Sequence, residues 1–259
     1  MRILLSNDDG IHSPGLAALY GAVRDLGDVT IVAPDSERSA VGHAITLSDP
    51  IRIREERKDG AFYGYAVGGT PADSVKLAVC AVLKDPPDLV ISGINLGPNA
   101  GISVIYSGTV SAATEGTILG IPSIAVSLDT YRDPIWDTAA RVARDVAAQV
   151  LRDPLPRGVL LNVNVPNVPP GRCRGYAATR MAASRFVETF HRREDPRGDV
   201  YYWMDGYLEA AGDDSGTDLR ALREGFVSLT PIGFNLTHAG TLDHLRAWRL
   251  PGPAAPPAR

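Results

Sequence analysis

The strongest constraint on this chain is a rhythm. Short apolar runs each stop at a polar loop, and helix-length amphipathic stretches separate them. The runs are RILLS at 2–6, VTIVAP at 29–34, DLVISG at 88–93, PSIAVSL at 122–128 and VLLNVNVP at 159–166. Such runs are too uniformly apolar for a strand with one wet face, so they read as strands buried on both sides, as in a parallel sheet. In GLAALYGAVRDLG (15–27), Leu16, Leu19, Tyr20, Val23 and Leu26 share one helical face and Gly27 can end the helix. GTPADSVKLAVCAVL (69–83) carries a helix-start signature, with Thr70 as N-cap, Pro71 at the first helical position and Asp73 at the third. SGTVSAATEGTIL (107–119) and IWDTAARVARDVAAQVL (135–151) are also helical, while IRIRE (51–55) and YGYAV (63–67) alternate like more exposed strands. Residues 1–166 are thus expected to form a Rossmann-like, doubly wound, mostly parallel sheet in a three-layer α/β/α unit.

Beyond 166 the rhythm stops. A proline-rich link (168–171) leads to short polar-aromatic strands with Asp/Gly turns (173–225), one more strand at 225–231 and a short helix over TLDHLRAWRL (241–250). Residues 167–250 read as a β-rich extension packed on the same core, making one domain of 1–250, with an arm that subunits exchange. PGPAAPPAR (251–259) reads as a disordered tail. A net charge of −4 argues against a broad nucleic-acid surface. No apolar stretch reaches membrane-helix length and no secretion signal is visible, so a cytoplasmic location is the expectation. Cys80 and Cys173, far apart and in no metal spacing, read as buried small hydrophobes and not as a disulfide.

In an open parallel sheet, ligands bind beyond the C-terminal ends of the strands. The first run is followed there by Asn7-Asp8-Asp9-Gly10, the second by a loop with Ser39 and His43, the third by GINLGPNAG with Asn95 and Asn99, and Ser107-Gly108-Thr109 opens the next helix. Adjacent aspartates repel and resist ionisation unless a cation sits between them. A hard divalent ion takes oxygen ligands, and Asp8, Asp9, Asn95 and Ser39 offer carboxylate, amide and hydroxyl oxygens. Taken singly, each has a plainer use: Asp-Asp-Gly as a turn, Asn95 as a turn residue, Ser39 as a cap, His12 and His43 as structural or surface groups. Their convergence on one rim favours a metal site. Ser107-Gly108-Thr109 can cradle an anion at a helix start, although a Ser/Thr cap is the commoner use. The chain has neither a GK[ST] loop nor GxGxxG spacing.

Six segments together, ILLSNDDGIHSPG, VAPDSERSAVGHAIT, GTPADSVKLA, PDLVISGINLGPNAG, YSGTVSAATEG and GFVSLTP, resemble in order the SurE (survival protein E) family of 5′-nucleotidases. The resemblance implies metal-dependent hydrolysis of phosphomonoesters, chiefly nucleoside 5′-monophosphates, extending to 3′-nucleotides and polyphosphate. It implies one Mg²⁺ or Mn²⁺ per subunit, metal ligands at Asp8, Asp9, Ser39 and Asn95, a phosphate side at Ser107, Gly108 and Thr109 with Asn99 nearby, and a homodimer or homotetramer. Ser74 stands where the family pattern has cysteine, and 180–223 matches weakly, which leaves base preference open.

The reaction expected is water attack on a phosphate monoester. Asp8 or Asp9 orients the water or accepts its proton, and Ser107, Thr109 and the Gly108 N–H stabilise the equatorial oxygens. An aspartyl-phosphate route through Asp8 ranks second, because a metal-engaged carboxylate is a weaker nucleophile. Two rivals are a zinc deacetylase, disfavoured by scattered histidines, and a nucleotide-binding module without catalysis. The basic stretch RFVETFHRR (185–193) reads as a solvated or subunit-contact face and not as an RNA or polyphosphate site.

Overall fold

The computed structural model describes residues 1–210 and 214–250. In chain order the elements are β1 (Arg2–Ser6), α1 (Pro14–Val23), β2 (Asp28–Pro34), β3 (Ile53–Lys58), β4 (Ala61–Val67), α2 (Pro71–Leu77), β5 (Leu89–Leu96), α3 (Ser103–Tyr106), α4 (Gly108–Ile118), β6 (Ser123–Asp129), α5 (Trp136–Arg152), β7 (Val159–Pro166), β8 (Tyr176–Ala178), β9 (Ser184–Glu194), β10 (Val200–Ala210), α6 (Asp218–Arg223), β11 (Val227–Gly233) and α7 (Leu242–Arg246). A nine-stranded sheet has the order β3-β4-β2-β1-β5-β6-β7-β11-β8, parallel from β4 through β7. The chain leaves β1 toward β2 and later returns to its other side at β5. That reversal opens a crevice between the C-terminal ends of β1 and β5, the place where open α/β sheets bind ligands.

The apolar runs are buried on both faces because the side chains of a strand alternate. Ile3 and Leu5 join the core under α1 and α5. Leu4, between them in sequence, faces the opposite layer with Val75 of α2 and Ala112 of α4. The helix starts are chemically specified. Ser13 accepts from the Leu16 N–H ahead of Pro14, and Thr70 and Asp73 form a reciprocal capping box. The helix expected over 69–83 is interrupted: α2 ends at Leu77 and residues 78–82 form a wider, π-type turn. Among the described residues no helix is long and apolar enough to cross a membrane.

The extension differs from the expectation in two ways. First, β11 pairs antiparallel with β7 and β8 pairs with β11, so residues beyond 166 complete the main sheet. Second, the short strands expected over 173–225 include two 11-residue strands, β9 and β10, in one long hairpin. Gly206 reads in sequence as a break, yet it lies within β10 opposite Glu188, where an added Cβ would come within 2.3 Å of the Val187 carbonyl oxygen. Glycine is there for a close strand approach and not for a turn. The cysteines also depart from expectation: Cys80 is exposed and Cys173 half-buried, both free. The tail at 251–259 lies outside the described residues.

Candidate active site

β1 ends at Ser6, opposite Ser92 of β5, which runs on to Leu96. The loop after β1 is closed by Asn7, whose buried Nδ2 donates to the Gly10 carbonyl (3.0 Å) and to Ser13 Oγ (2.7 Å). Gly10 supplies the left-handed backbone (φ +92°) that lets the loop turn toward α1. The Arg38 N–H donates to the Asp8 carbonyl at 2.7 Å, tying this loop to the one after β2. On β5 the pairing with β6 slips between Ser92 and Asn95. Such a bulge re-aims the side chains that follow it, here Asn95 at the rim. Asn95 Nδ2 donates to the Gly97 carbonyl at 2.7 Å, which leaves its Oδ1 facing other partners.

The start of α4 meets Asp8 directly. Ser107 is the N-cap, its Oγ accepting from the Val110 N–H at 3.0 Å. Thr109, fully buried, donates its hydroxyl to Asp8 Oδ1 at 2.5 Å. Gly108 lies against the same carboxylate: a Cβ there would be 2.7 Å from Asp8 Cβ and 2.9 Å from Asp8 Oδ2. The hydroxyl proton of Thr109, expected on a phosphate, is donated to Asp8 in this structure.

A cavity of about 550 Å³ opens over this rim. Its lining includes the polar side chains of Asp8, Ser39, Asn95, Asn99 and Ser107, and those of Tyr106, Tyr131, Phe186, Glu188 and Met204. No lysine or arginine is among the lining residues. Asp9 borders a neighbouring cavity with His12, Asp35 and Trp136, and Leu96 lines both. Gly108 and Thr109 pack behind Asp8 and do not line the main cavity.

The two carboxylates are electrostatically uncomfortable. Burial raises the Asp8 pKa above its ordinary value despite the Thr109 hydrogen bond. Burial, then the charge of Asp8, then that of Glu37 push Asp9 up to about 7. Adjacent carboxylates with no lysine or arginine lining the cavity of either one fit a bound cation. The donor set is all oxygen: two carboxylates, the Asn95 amide and the Ser39 hydroxyl. Ser39 Oγ donates to Glu37 Oε1 at 2.7 Å, and its oxygen lone pairs stay available. Among the described residues no group of three or more His, Cys, Asp or Glu side chains is arranged for a metal, and the nearest histidines are engaged elsewhere, His43 with Glu115 and His12 with Glu56. The set therefore suits a hard divalent ion and not zinc.

Several residues that shape the site were not singled out from the sequence. Asn162 and Asn164, two apart on β7 and fully buried, donate to the Asn99 carbonyl at 2.7 and 3.1 Å, and Asn164 Oδ1 accepts from the Asn99 N–H at 2.8 Å. Buried Asp218 accepts from the Gly101 and Ala182 N–H groups, both at 2.9 Å, and so joins the β5 loop to the extension. The alternating asparagines in an otherwise apolar strand are the signal that marks them, since buried amides need partners.

Comparison with known proteins agrees on one family. The family model described as Survival protein SurE matches residues 3–188. A 5′-nucleotidase SurE from Syntrophobacter fumaroxidans is 48% identical over 250 residues, spanning 96% of this chain and 100% of the relative. One from Syntrophus aciditrophicus is 50% identical, spanning 95% and 93%. The crystal structure of the SurE protein from Aquifex aeolicus superposes with a TM-score of 0.83 at 40% identity, covering 95% of this chain and 98% of that one.

Proposed function

The chain belongs to the SurE family, and from that premise we propose how its site works. It is a phosphoric monoester hydrolase that cleaves nucleoside 5′-monophosphates to nucleoside and phosphate. The observation that carries the mechanism is the meeting of Asp8, Ser39, Asn95 and the start of α4 around one cavity at the strand-order reversal, with Asp9 next in sequence on the wall of the neighbouring cavity.

Asp8, Asp9, Ser39 and Asn95 would hold the cation. When bound, a divalent ion such as Mg²⁺ or Mn²⁺ supplies charge to offset the phosphate and makes a coordinated water more acidic. Asp8 is the oriented ligand, because Thr109 fixes one of its oxygens. Asp9 is less buried and is held by a backbone hydrogen bond from Leu96 and not by a neighbouring side chain, so it is the carboxylate suited to align the attacking water and take its proton. Ser107 accepts from Val110 and so keeps its own O–H to donate to a phosphate oxygen beside the first N–H groups of α4. Asn99, held by Asn162, Asn164 and Ser127, lines the same cavity. The rings of Tyr106, Tyr131 and Phe186 suit the nucleoside.

The test is phosphate release from 5′- and 3′-nucleoside monophosphates by chelator-stripped protein, with Mg²⁺, Mn²⁺ or Zn²⁺ restored. Release is expected with Mg²⁺ or Mn²⁺ and a preference for 5′-monophosphates. Release sustained by Zn²⁺ alone, or none at all, overturns the reading.

Two further parts of the reading concern assembly and place. The β9–β10 hairpin carries exposed Phe190, Tyr202, Trp203, Met204 and Tyr207, a run of large apolar groups that supports contact with a second subunit in a homodimer or homotetramer. Light scattering is expected to give at least a dimer, and Trp203→Ser with Tyr207→Ser to shift it toward monomer; a wild-type monomer at micromolar concentration counts against this role. The free cysteines support a cytoplasmic, reducing location.

A further inference from the structure

Glu115 on α4 is 2% exposed and carries two cationic-type partners, Lys76 Nζ on α2 at 2.5 Å and His43 Nε2 at 2.9 Å. Burial opposes its charge, yet the hydrogen bonds from His43 and Lys76 hold its pKa below the usual value. Lys76 alone balances that charge. His43 is therefore not needed for neutrality, and its Nε2–H donates to the Glu115 carboxylate. What His43 adds is position.

His43 belongs to the segment between β2 and β3, which has no helix or strand over residues 35–52 and which carries Ser39. The segment is pinned at successive points. The Arg38 N–H reaches the Asp8 carbonyl at 2.7 Å, and the Gly42 N–H reaches the Tyr106 carbonyl at 3.1 Å. Thr70 Oγ1 donates to the Ala44 carbonyl at 2.7 Å, and the Thr46 N–H and hydroxyl donate to the Asp73 carboxylate at 2.9 and 2.6 Å. Between the first and last of these, Ala40 has φ +55° and Gly42 φ +58°. An alanine holds a left-handed backbone only where its surroundings enforce it. In this stretch His43 makes the side-chain contact that reaches α4, the helix whose first turn abuts Asp8.

We propose that His43 is a positioning residue: through Glu115 it registers the Ser39 segment against α4, so that the Ser39 hydroxyl and the Asp8 carboxylate stay at one fixed separation and the divalent cation binds tightly. This rests on the assignment of Ser39, Asp8 and Asp9 as cation ligands. Residues that support metal ligands without touching the metal commonly change affinity by about 10- to 100-fold.

The experiment is a Mn²⁺ titration of the full chain, followed by the electron-paramagnetic signal of free Mn²⁺, on wild type, Asp9→Asn, His43→Ala and His43→Gln, with metal-free melting measured in parallel. Because the Lys76–Glu115 pair persists, His43→Ala is expected to melt close to wild type. It is expected to bind Mn²⁺ about tenfold more weakly, with kcat recovering at saturating Mn²⁺. His43→Gln can donate an amide N–H to Glu115 and is expected to restore affinity to within about threefold. Unchanged affinity in His43→Ala overturns the proposal. So does a loss that His43→Gln does not repair, since the ring would then act by packing. If wild type binds no Mn²⁺, or Asp9→Asn binds it equally well, it is the ligand assignment that fails, and the two failures are told apart by those controls.

Discussion

Asp9→Asn is expected to lower phosphate release from nucleoside 5′-monophosphates on the order of a thousandfold, while leaving the metal-free protein more stable than wild type at pH 8. The activity loss has two sources. Asparagine keeps the size of the side chain but cannot take the proton of an attacking water, a role worth typically 10²–10⁴-fold. It also removes one of the two charges that would hold the cation, so Mn²⁺ affinity falls as well. The stability gain follows from the raised pKa of Asp9, about 7, caused by burial, the neighbouring Asp8 and Glu37. Below an unfolded value of 3.8 the carboxyl is protonated in both states and costs nothing. Between 3.8 and about 7 the unfolded chain ionises while the folded one resists, so stability declines as pH rises, and the penalty is complete above 7. The substitution removes this penalty. Melting curves of the chelator-treated proteins at pH 4 and pH 8 check the sign: the variants should coincide near pH 4 and separate at pH 8. A wild type that is as stable as Asp9→Asn at pH 8 would mean that the pair is already compensated without a cation. The same linkage predicts that Mn²⁺ binding below pH 7 releases protons, because the ion must displace them.

The rim was legible in the sequence because parallel-sheet physics puts the ends of alternate segments together. Asp8 after β1, Ser39 after β2 and Asn95 at the penultimate position of β5 all follow apolar runs, and the rule about strand ends needs no knowledge of contacts. Caps were legible for a similar reason, since Thr70 and Asp73 interact within one helical turn. What the sequence concealed depends on long-range pairing. Thr109 and Asp8 lie 101 residues apart, so a hydroxyl that looks like a phosphate donor could not be seen to be spent on a carboxylate. Asn162 and Asn164 were submerged in an apolar strand, though their spacing put both on one face. The length of the hairpin strands is hidden because their exposed aromatic and charged residues lack the apolar alternation of a half-buried strand, and because Gly206 imitates a turn. Its closing turn was nevertheless written locally: Asp195 Oδ1 accepts from the Arg197 and Asp199 N–H groups at 2.8 and 2.9 Å.

Gly108→Ala provides the second large effect, and it separates stability from activity. At a position with ordinary helical backbone angles this exchange is favourable, since alanine reduces the freedom of the unfolded chain by about 0.4–1 kcal/mol. Gly108 has no strained backbone angle that would argue otherwise. The obstacle is what the new methyl meets: Asp8 Cβ at 2.7 Å, Asp8 Oδ2 at 2.9 Å and Pro71 Cγ at 3.1 Å. Neither Asp8 nor Pro71 is the loose end of a flexible side chain. Pro71 is fixed in the first turn of α2, and Asp8 is held by the Thr109 hydroxyl and, through its carbonyl, by the Arg38 N–H. Relief therefore requires α4 to retreat from β1 or the Asp8 carboxylate to rotate, and either one breaks the Asp8–Thr109 contact. Ser107 moves with the helix, so the phosphate end and the ligand end shift apart together. Misplacement of catalytic groups by about 1 Å costs on the order of a hundredfold in rate. The expected result is kcat/KM for a 5′-monophosphate reduced about 100-fold, with a Tm change of only a few degrees as the reduced freedom of the unfolded chain offsets part of the strain. Steady-state kinetics beside a thermal melt measures both. Near-normal kcat/KM in Gly108→Ala would mean that the contact between α4 and Asp8 does not set the geometry of the reacting phosphate.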